Sequence, residues 1–320
     1  MRKLFGSLVF SLLVTGSACA QELTAAHVNP PGEASNVAFQ ELEKRLNASK
    51  TGLKLKVFPQ GQVGDEKAAI EQVRLGALTM TTVASSNLSA FAPSVGVFDI
   101  PFLFRDADKH PWAVVDGPIG KEISAKIEKE SGLMVLGWWS ASMRHVFVRS
   151  GDINSPADLK GKKMRVIGSP VYVDTFNALG AKATPMPYGE VYTALATGTV
   201  DGAENDTTGY RNMKFYEQAP VLSLTGHFFL FKPVVANKAA IEKLTPDQRK
   251  ELEAIFTEVT ALQRKTAIDA TAADIEFLKS KNVKVIEPNR ALFVEAVKPV
   301  VEKYSAKYGS ALVEQIRNTK

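Results

Sequence analysis

The sequence predicts an α/β protein built as two lobes of similar architecture. Three observations carry this. Two stretches, one near the N-terminus and one mid-chain, each read as strand-helix-strand-helix-strand, the unit of an open parallel sheet. A chain of 320 residues is long enough for two domains with real cores. A third stretch, from Thr245 onward, is helical for far longer than a single lobe needs.

In the first unit, Leu23 to Val28 reads as a strand. Glu33 to Asn47 reads as a helix, with Val37, Leu42 and Leu46 near helical spacing. Leu53 to Phe58 alternates apolar and basic residues, as a strand with one buried face does. Asp65 to Leu75 is helical and stops at Gly76. Leu78 to Ala84, rich in threonine and valine, closes the unit as a strand. In the second unit, Lys163 to Ile167 is a strand. Ser169 is the expected cap of the next helix, with Pro170 at its first position and Gly180 beyond its end. A short strand follows near Lys182 to Thr184. Glu190 to Thr197 reads as a helix ended by Gly198, and Thr199 to Ala203 as a third strand. Thr245-Pro246-Asp247-Gln248 has the form of a capping box. From there to Lys279 no proline or glycine intervenes, and Ala254, Ile255, Val259, Leu262, Ala267 and Ile268 form a helical stripe. This is either one spine along both lobes or two helices with a bend.

The first 20 residues read as an export signal. Arg2 and Lys3 form a basic start, Leu4 to Val14 is apolar but short, and Ala18-Cys19-Ala20 offers a small-x-small cleavage site. Lipidation at Cys19 is disfavoured, because Gly16-Ser17-Ala18 lacks the aliphatic position such sites carry. Cleavage after Ala20 removes the chain's single cysteine. The mature protein then depends on core burial rather than disulfides. It also drops the formal charge from +5 to +3 by loss of Arg2 and Lys3. The charges are interspersed, which describes a solvated surface and not a nucleic-acid footprint. A mild positive balance suits an anionic ligand. No later stretch is long and apolar enough for a transmembrane helix.

In open α/β sheets the ligand crevice lies beyond the carboxyl ends of the strands. That rule selects His27 after the first strand, and Ser85, Ser86 and Asn87 after the third. It also selects Arg165 and Asn205 in the second unit, placing both on one crevice. An arginine fork, an amide and the helix start at Ser169 suit a carboxylate. Other roles stay open for each: a salt-bridged strand position for Arg165, a turn for Asn205, a structural role for His27. Arg144 either holds a ligand or lays its stem on Trp138 and Trp139. The chain has no G-x-S-x-G elbow, H-E-x-x-H, Walker A loop or G-x-G-x-x-G. Its four histidines have no metal-ligand spacing. No catalytic centre, metal site or cofactor is expected. Trp112, Trp138, Trp139 and His227-Phe228-Phe229-Leu230-Phe231 read as core or cleft wall.

The stretches Gly161-Lys162-Lys163-Met164-Arg165-Val166, Ser169-Pro170-Val171 and Ala178-Leu179-Gly180-Ala181 are recognisable together. So are Met186-Pro187-Tyr188-Gly189-Glu190-Val191-Tyr192-Thr193-Ala194-Leu195 and Gly198-Thr199-Val200-Asp201-Gly202-Ala203-Glu204-Asn205. With His27, the Phe58 to Gly64 turn and Val97-Phe98-Asp99-Ile100-Pro101-Phe102-Leu103-Phe104, the chain resembles the solute-binding subunits of tripartite ATP-independent periplasmic (TRAP) transporters, DctP type. The resemblance implies a two-lobed binding fold, each lobe a mixed, mostly parallel sheet flanked by helices, joined by crossing strands and a long helix. It implies lobe I from residues 21–142 with about 231–268, and lobe II from 143–230 with about 269–320. The family's carboxylate-binding arginine falls on Arg165, its supporting asparagine on Asn205, and a second arginine on Arg144. The variable pocket wall makes Glu66, Ser86, Asn87, Tyr188, Asp206, His227 and Phe229 candidates beside His27. The implied protein is a periplasmic monomer, not an enzyme. It captures a small organic acid and hands it to a small and a large membrane subunit. His27, Asn87, Tyr188 and Asn205 favour a sugar acid or hydroxy acid; Arg144 keeps a C4-dicarboxylate open. A receptor for an ATP-driven importer or sensor, and a periplasmic enzyme on the same fold, are the alternatives.

Overall fold

The computed structural model describes residues 21–320; the expected signal segment lies outside them. The first unit forms as its pattern requires. Strand β1 (Gln21–Ala26) pairs in parallel with β2 (Leu53–Phe58) on one side and β3 (Met80–Thr82) on the other. Leu53 and Leu55 are buried while Lys54 and Lys56 point away, which is the alternation expected of a half-buried strand. The helix Ala34–Asn47 buries Ala38, Phe39, Leu42 and Leu46, and the Glu33 carboxylate caps it by accepting from the Ser35 N–H at 3.1 Å. Asp65 caps Glu66–Arg74 in the same way through Ala68 N–H at 2.9 Å.

Two long strands, which the periodicity did not reveal, form the centre. β4 (Leu133–Val148) and β8 (Val221–Asn237) run antiparallel for 16 and 17 residues. Their ladder slips at Val135/Gly137, Ser140/Ser142 and Arg144/Val146. At the last slip Arg144 faces Phe228 while Val146 faces Ser223, so Leu224 to His227 loop out of the pairing. Gly226 sits there in the left-handed region, at φ 53°. Bulges of this kind, with serine and glycine in both strands, erase the period-2 signal. Bulges also bend the strand that carries them.

The second unit adds β5 (Lys163–Val166), parallel to both β6 (Lys182–Pro185) and β7 (Gly202–Asn205). β9 (Lys284–Ile286) pairs with β8. Among the described residues the strands thus form one nine-stranded sheet in the order β2-β1-β3-β8-β4-β7-β5-β6, with β9 off this path beside β8. Two expectations need correction. Ser169 precedes the helix Pro170–Ala178 but its side chain makes no capping bond; its Oγ is buried without a partner among the described residues. The third strand begins at Gly202 rather than Thr199, so Asn205 is the strand's last residue and pairs with His145.

After Thr245 a single unbroken helix runs from Pro246 to Ser280, 35 residues, or about 52 Å at 1.5 Å per residue. Thr245 and Gln248 close the capping box at 3.1 and 3.2 Å. The helix lies first against Ala34–Asn47 and β4, then against the helix Thr207–Asn212 and β9, so it spans both lobes without a break. Gln263 fixes it to the strand crossing by accepting from Ser140 N–H at 3.2 Å and donating to Ser140 O at 2.7 Å. Among the described residues, no helix is long and apolar enough to cross a membrane.

Candidate functional site

A chamber lies between the lobes, at the carboxyl ends of β1, β3, β5 and β7. It shares Val28, Glu66, Asn87 and Tyr188 with a larger outer cleft. The second lobe contributes Arg165, Tyr188, Asn205, Asp206 and Gly209 to the chamber; the first contributes Asn29, Glu33, Glu66 and Asn87. Arg144 and Lys232 reach it from the long central strands.

Arg165 stands at the end of β5, with 3 % of its surface exposed. Its Nε and Nη2 donate to the Met186 carbonyl at 3.1 and 2.8 Å, which orients the guanidinium. Burial pushes its pKa down to about 10, with Arg144 acting the same way against the raising effect of Glu204. The group remains cationic at neutral pH, in a setting that an anion would improve. Among the described residues Arg165 makes no salt bridge, whereas the other two chamber cations do.

Arg144 is held differently. Its Nη2 donates to Glu204 Oε1 at 2.9 Å and to the Glu204 carbonyl at 2.8 Å, and its Nε donates to Glu204 Oε2. Burial opposes its charge, but Glu204, with Tyr172 and Asp206 adding to it, outweighs burial and holds its pKa above the ordinary value. Glu204, fully buried, is held below the usual carboxylate range despite burial, chiefly by Arg144. The pair exists because β4 lies antiparallel to β7, with His145 opposite Asn205 and Val146 opposite Glu204. Arg144 Nη1 also donates to Asn205 Oδ1 at 2.8 Å. Asn205 in turn donates through Nδ2 to Tyr188 Oη at 3.2 Å. A Cβ at Gly209 would meet Asn205 Nδ2 at 2.4 Å and Tyr188 Oη at 2.9 Å, so only glycine lets these two side chains close over it. Asp206 caps the helix Thr207–Asn212 through Gly209 N–H at 2.8 Å, and burial raises its pKa to about 6 against the pull of Arg144.

On the facing wall, Glu66 Oε2 accepts from Ala84 N–H at 3.0 Å and from Asn87 Nδ2 at 2.7 Å. Lys232 Nζ lies 3.8 Å from Glu33 Oε1. Of the sequence candidates, the chamber therefore brings together Arg165, Asn205, Arg144, Glu66, Asn87, Tyr188 and Asp206. Four stand outside its lining. His27 stacks on Phe39 at 5.3 Å and accepts from Asn29 N–H, and burial lowers its pKa to about 3, with Lys232 adding to the effect. Ser86 is fully buried. His227 is fully buried against Thr225 and Phe176. Phe229 packs in an aromatic cluster with Phe104, Trp112 and Phe231.

Sequence reasoning missed Asn29, Glu33 and Lys232. The first two lie just past β1 and were within reach of the strand-end rule that selected His27. Lys232 carries its own signal, a lone charge at the end of an apolar strand run, Phe228-Phe229-Leu230-Phe231.

Lobes, crossing strands and an interlobe chamber with one unpaired cation among the described residues define a two-lobed binding protein. The profile of bacterial extracellular solute-binding proteins, family 7 (DctP), matches residues 25–307, and the chain belongs to that family, the solute-binding subunits of TRAP transporters. It is 34% identical over 285 residues to the 2,3-diketo-L-gulonate-binding periplasmic protein YiaO of Escherichia coli, covering 88% of this chain and 86% of that one. The crystal structure of a TRAP periplasmic solute-binding protein from Pseudomonas putida F1 with bound D-glucuronate superposes with a TM-score of 0.88. Its identity is 35%, and the match covers 93% of this chain and 97% of that one. A TRAP solute-binding protein from Xanthobacter autotrophicus with bound β-D-galacturonate gives a TM-score of 0.87 at 34% identity, covering 93% and 100%.

Proposed function

We propose that this chain is the periplasmic receptor of its transporter and captures a sugar acid with a single carboxylate, of the uronate kind. The observation that carries this is the pairing of the chamber cations. Arg144 is neutralised by Glu204 and Lys232 faces Glu33, while Arg165 has no carboxylate partner among the described residues. One unpaired cation suits one carboxylate. A C4-dicarboxylate would bring its second charge to a wall that already carries Glu33 and Glu66. The relatives that hold D-glucuronate and β-D-galacturonate support the same ligand class.

In this reading the solute's carboxylate docks on Arg165, with Asn205 and Tyr188 beside it. The facing wall, Glu66 and Asn87, then takes the hydroxyls. Lobe I comprises residues 21–142 with about 231–268 and lobe II the remainder, so the hinge falls within β4, β8 and the long helix. A ligand that touches both walls favours the closed form, because only contacts absent from the open form shift that equilibrium. The chain is exported by its N-terminal segment, acts as a monomer, leaves its ligand chemically unchanged and passes it to the membrane subunits.

The test is a thermal-shift screen with D-glucuronate, D-galacturonate, 2,3-diketo-L-gulonate, D-erythronate, succinate and malate. Ligand at a hundred times its Kd adds about 2.7 kcal/mol. A shift with at least one sugar acid and none with succinate or malate is expected, and mass spectrometry should recover the acid intact. A shift confined to the C4-dicarboxylates, or turnover of the bound acid, refutes the reading.

A further inference from the structure

We infer that Asn29, Glu33 and Lys232 form a hydroxyl-reading subsite opposite Arg165 that selects a neutral polyol end and excludes a second carboxylate. The inference rests on the sugar-acid reading above and adds the residues that decide between acids of equal length.

Two independent observations carry it. The first is an unmet hydrogen-bonding group. Asn29 lines the chamber with 4 % of its surface exposed, and its Oδ1 is buried without a partner among the described residues. Its backbone N–H is fixed on His27 Nδ1 at 3.2 Å, so the residue is held immediately past β1. A buried polar atom left unpaired is costly, and a ligand that pairs it recovers that cost. A hydroxyl both donates and accepts, so it satisfies either orientation of the amide.

The second is a charge pair that closes the site to anions. Lys232 is 3 % and Glu33 3 % exposed, and their charged atoms lie 3.8 Å apart. At that distance the two are in ionic contact, yet the separation exceeds a hydrogen bond and leaves donor and acceptor capacity for a ligand. Glu33 Oε2 is committed to the Ser35 N–H at the helix start. A hydroxyl can donate to Glu33 and accept from Lys232 without disturbing their charges. A carboxylate in the same place would gain Lys232 only against the repulsion of Glu33 and of Glu66 on the same wall.

The experiment measures, by isothermal titration, D-glucuronate, D-glucarate and cyclohexanecarboxylate against wild type, Asn29→Ala and Glu33→Gln. D-Glucarate has the same carbon count as D-glucuronate with a second carboxylate at the far end; cyclohexanecarboxylate has a six-membered ring without hydroxyls. Glutamine can still accept from Ser35 N–H, so E33Q keeps the helix cap. Each readout is a ratio within one protein, so a change in folding cancels. Wild type should prefer D-glucuronate to D-glucarate by at least a hundredfold, and E33Q, which frees Lys232 for the second carboxylate, should narrow that ratio at least tenfold. N29A should narrow the D-glucuronate to cyclohexanecarboxylate ratio about tenfold. An unchanged ratio in either variant overturns the subsite while sugar-acid binding by wild type leaves the proposed function standing. Failure of wild type to bind any sugar acid overturns both.

Discussion

Replacing Arg165 with methionine removes the guanidinium while keeping much of the side chain's length and bulk. Among the described residues the Arg165 side chain bonds only to the Met186 carbonyl, and burial already disfavours its charge, bringing the pKa to about 10. Removing it should leave the unliganded melting midpoint within a few degrees of wild type. Binding should respond very differently. Truncating one partner of a buried, hydrogen-bonded charge pair costs about 2–5 kcal/mol, or roughly 30- to 4,000-fold in Kd. Sugar acid at a hundred times the wild-type Kd stabilises by about 2.7 kcal/mol, which is a shift of roughly 5–10 °C at about 2–4 °C per kcal/mol. After a thousandfold loss the same ligand concentration contributes less than about 0.1 kcal/mol, and the shift disappears. Differential scanning fluorimetry with and without ligand reads both quantities, and isothermal titration gives Kd. A retained shift, or a Kd within tenfold of wild type, would refute the assignment of the carboxylate to Arg165.

Glu204→Gln leaves Arg144 buried without its counter-charge and should destabilise by about 3–5 kcal/mol in urea unfolding; a loss under 1 kcal/mol would mean that Asn205 and Asp206 suffice for Arg144. Asp99 is fully buried, and burial raises its pKa from 3.8 to about 7 against the opposing Ser85 bond and Arg144 charge. Between those two values the folded protein keeps a proton the unfolded chain has lost, so this group's contribution to stability falls as pH rises through the window and is lowest above pH 7. Asp99→Asn should therefore be more stable than wild type at pH 8, on the order of 2–4 kcal/mol, and nearly equal to it at pH 4; urea unfolding that shows the same difference at both pH values would refute the assignment. Thr245→Ala removes one half of the capping box and should cost about 1 kcal/mol in the same assay; no measurable loss would place the helix start under the control of Pro246 and tertiary packing.

What the amino-acid sequence determined by itself was whatever rests on local chemistry. Alternation placed Leu53–Phe58 without error, and the threonine-glutamine box placed the start of the long helix, because each depends only on residues a few positions apart. The strand-end rule reached Arg165, Asn87 and Asn205 because the approximate place of a short strand is written in its own residues, although its bounds are not: β7 runs from Gly202 to Asn205 and not from Thr199 to Ala203. What the tertiary structure alone decided was pairing between distant segments. The central strands β4 and β8 carry bulges and inserted serine and glycine that break the local period, and they are held by each other rather than by propensity. Their register sets Arg144 beside Glu204, which cancels a cation that a sequence reading left available for a second carboxylate. The same strand β8 carries Lys232 to within 3.8 Å of Glu33, about two hundred positions earlier in the chain. Charge in a buried site depends on which partner lies within a few ångströms, and that partner is chosen by the sheet's long-range register, which no short stretch of sequence contains.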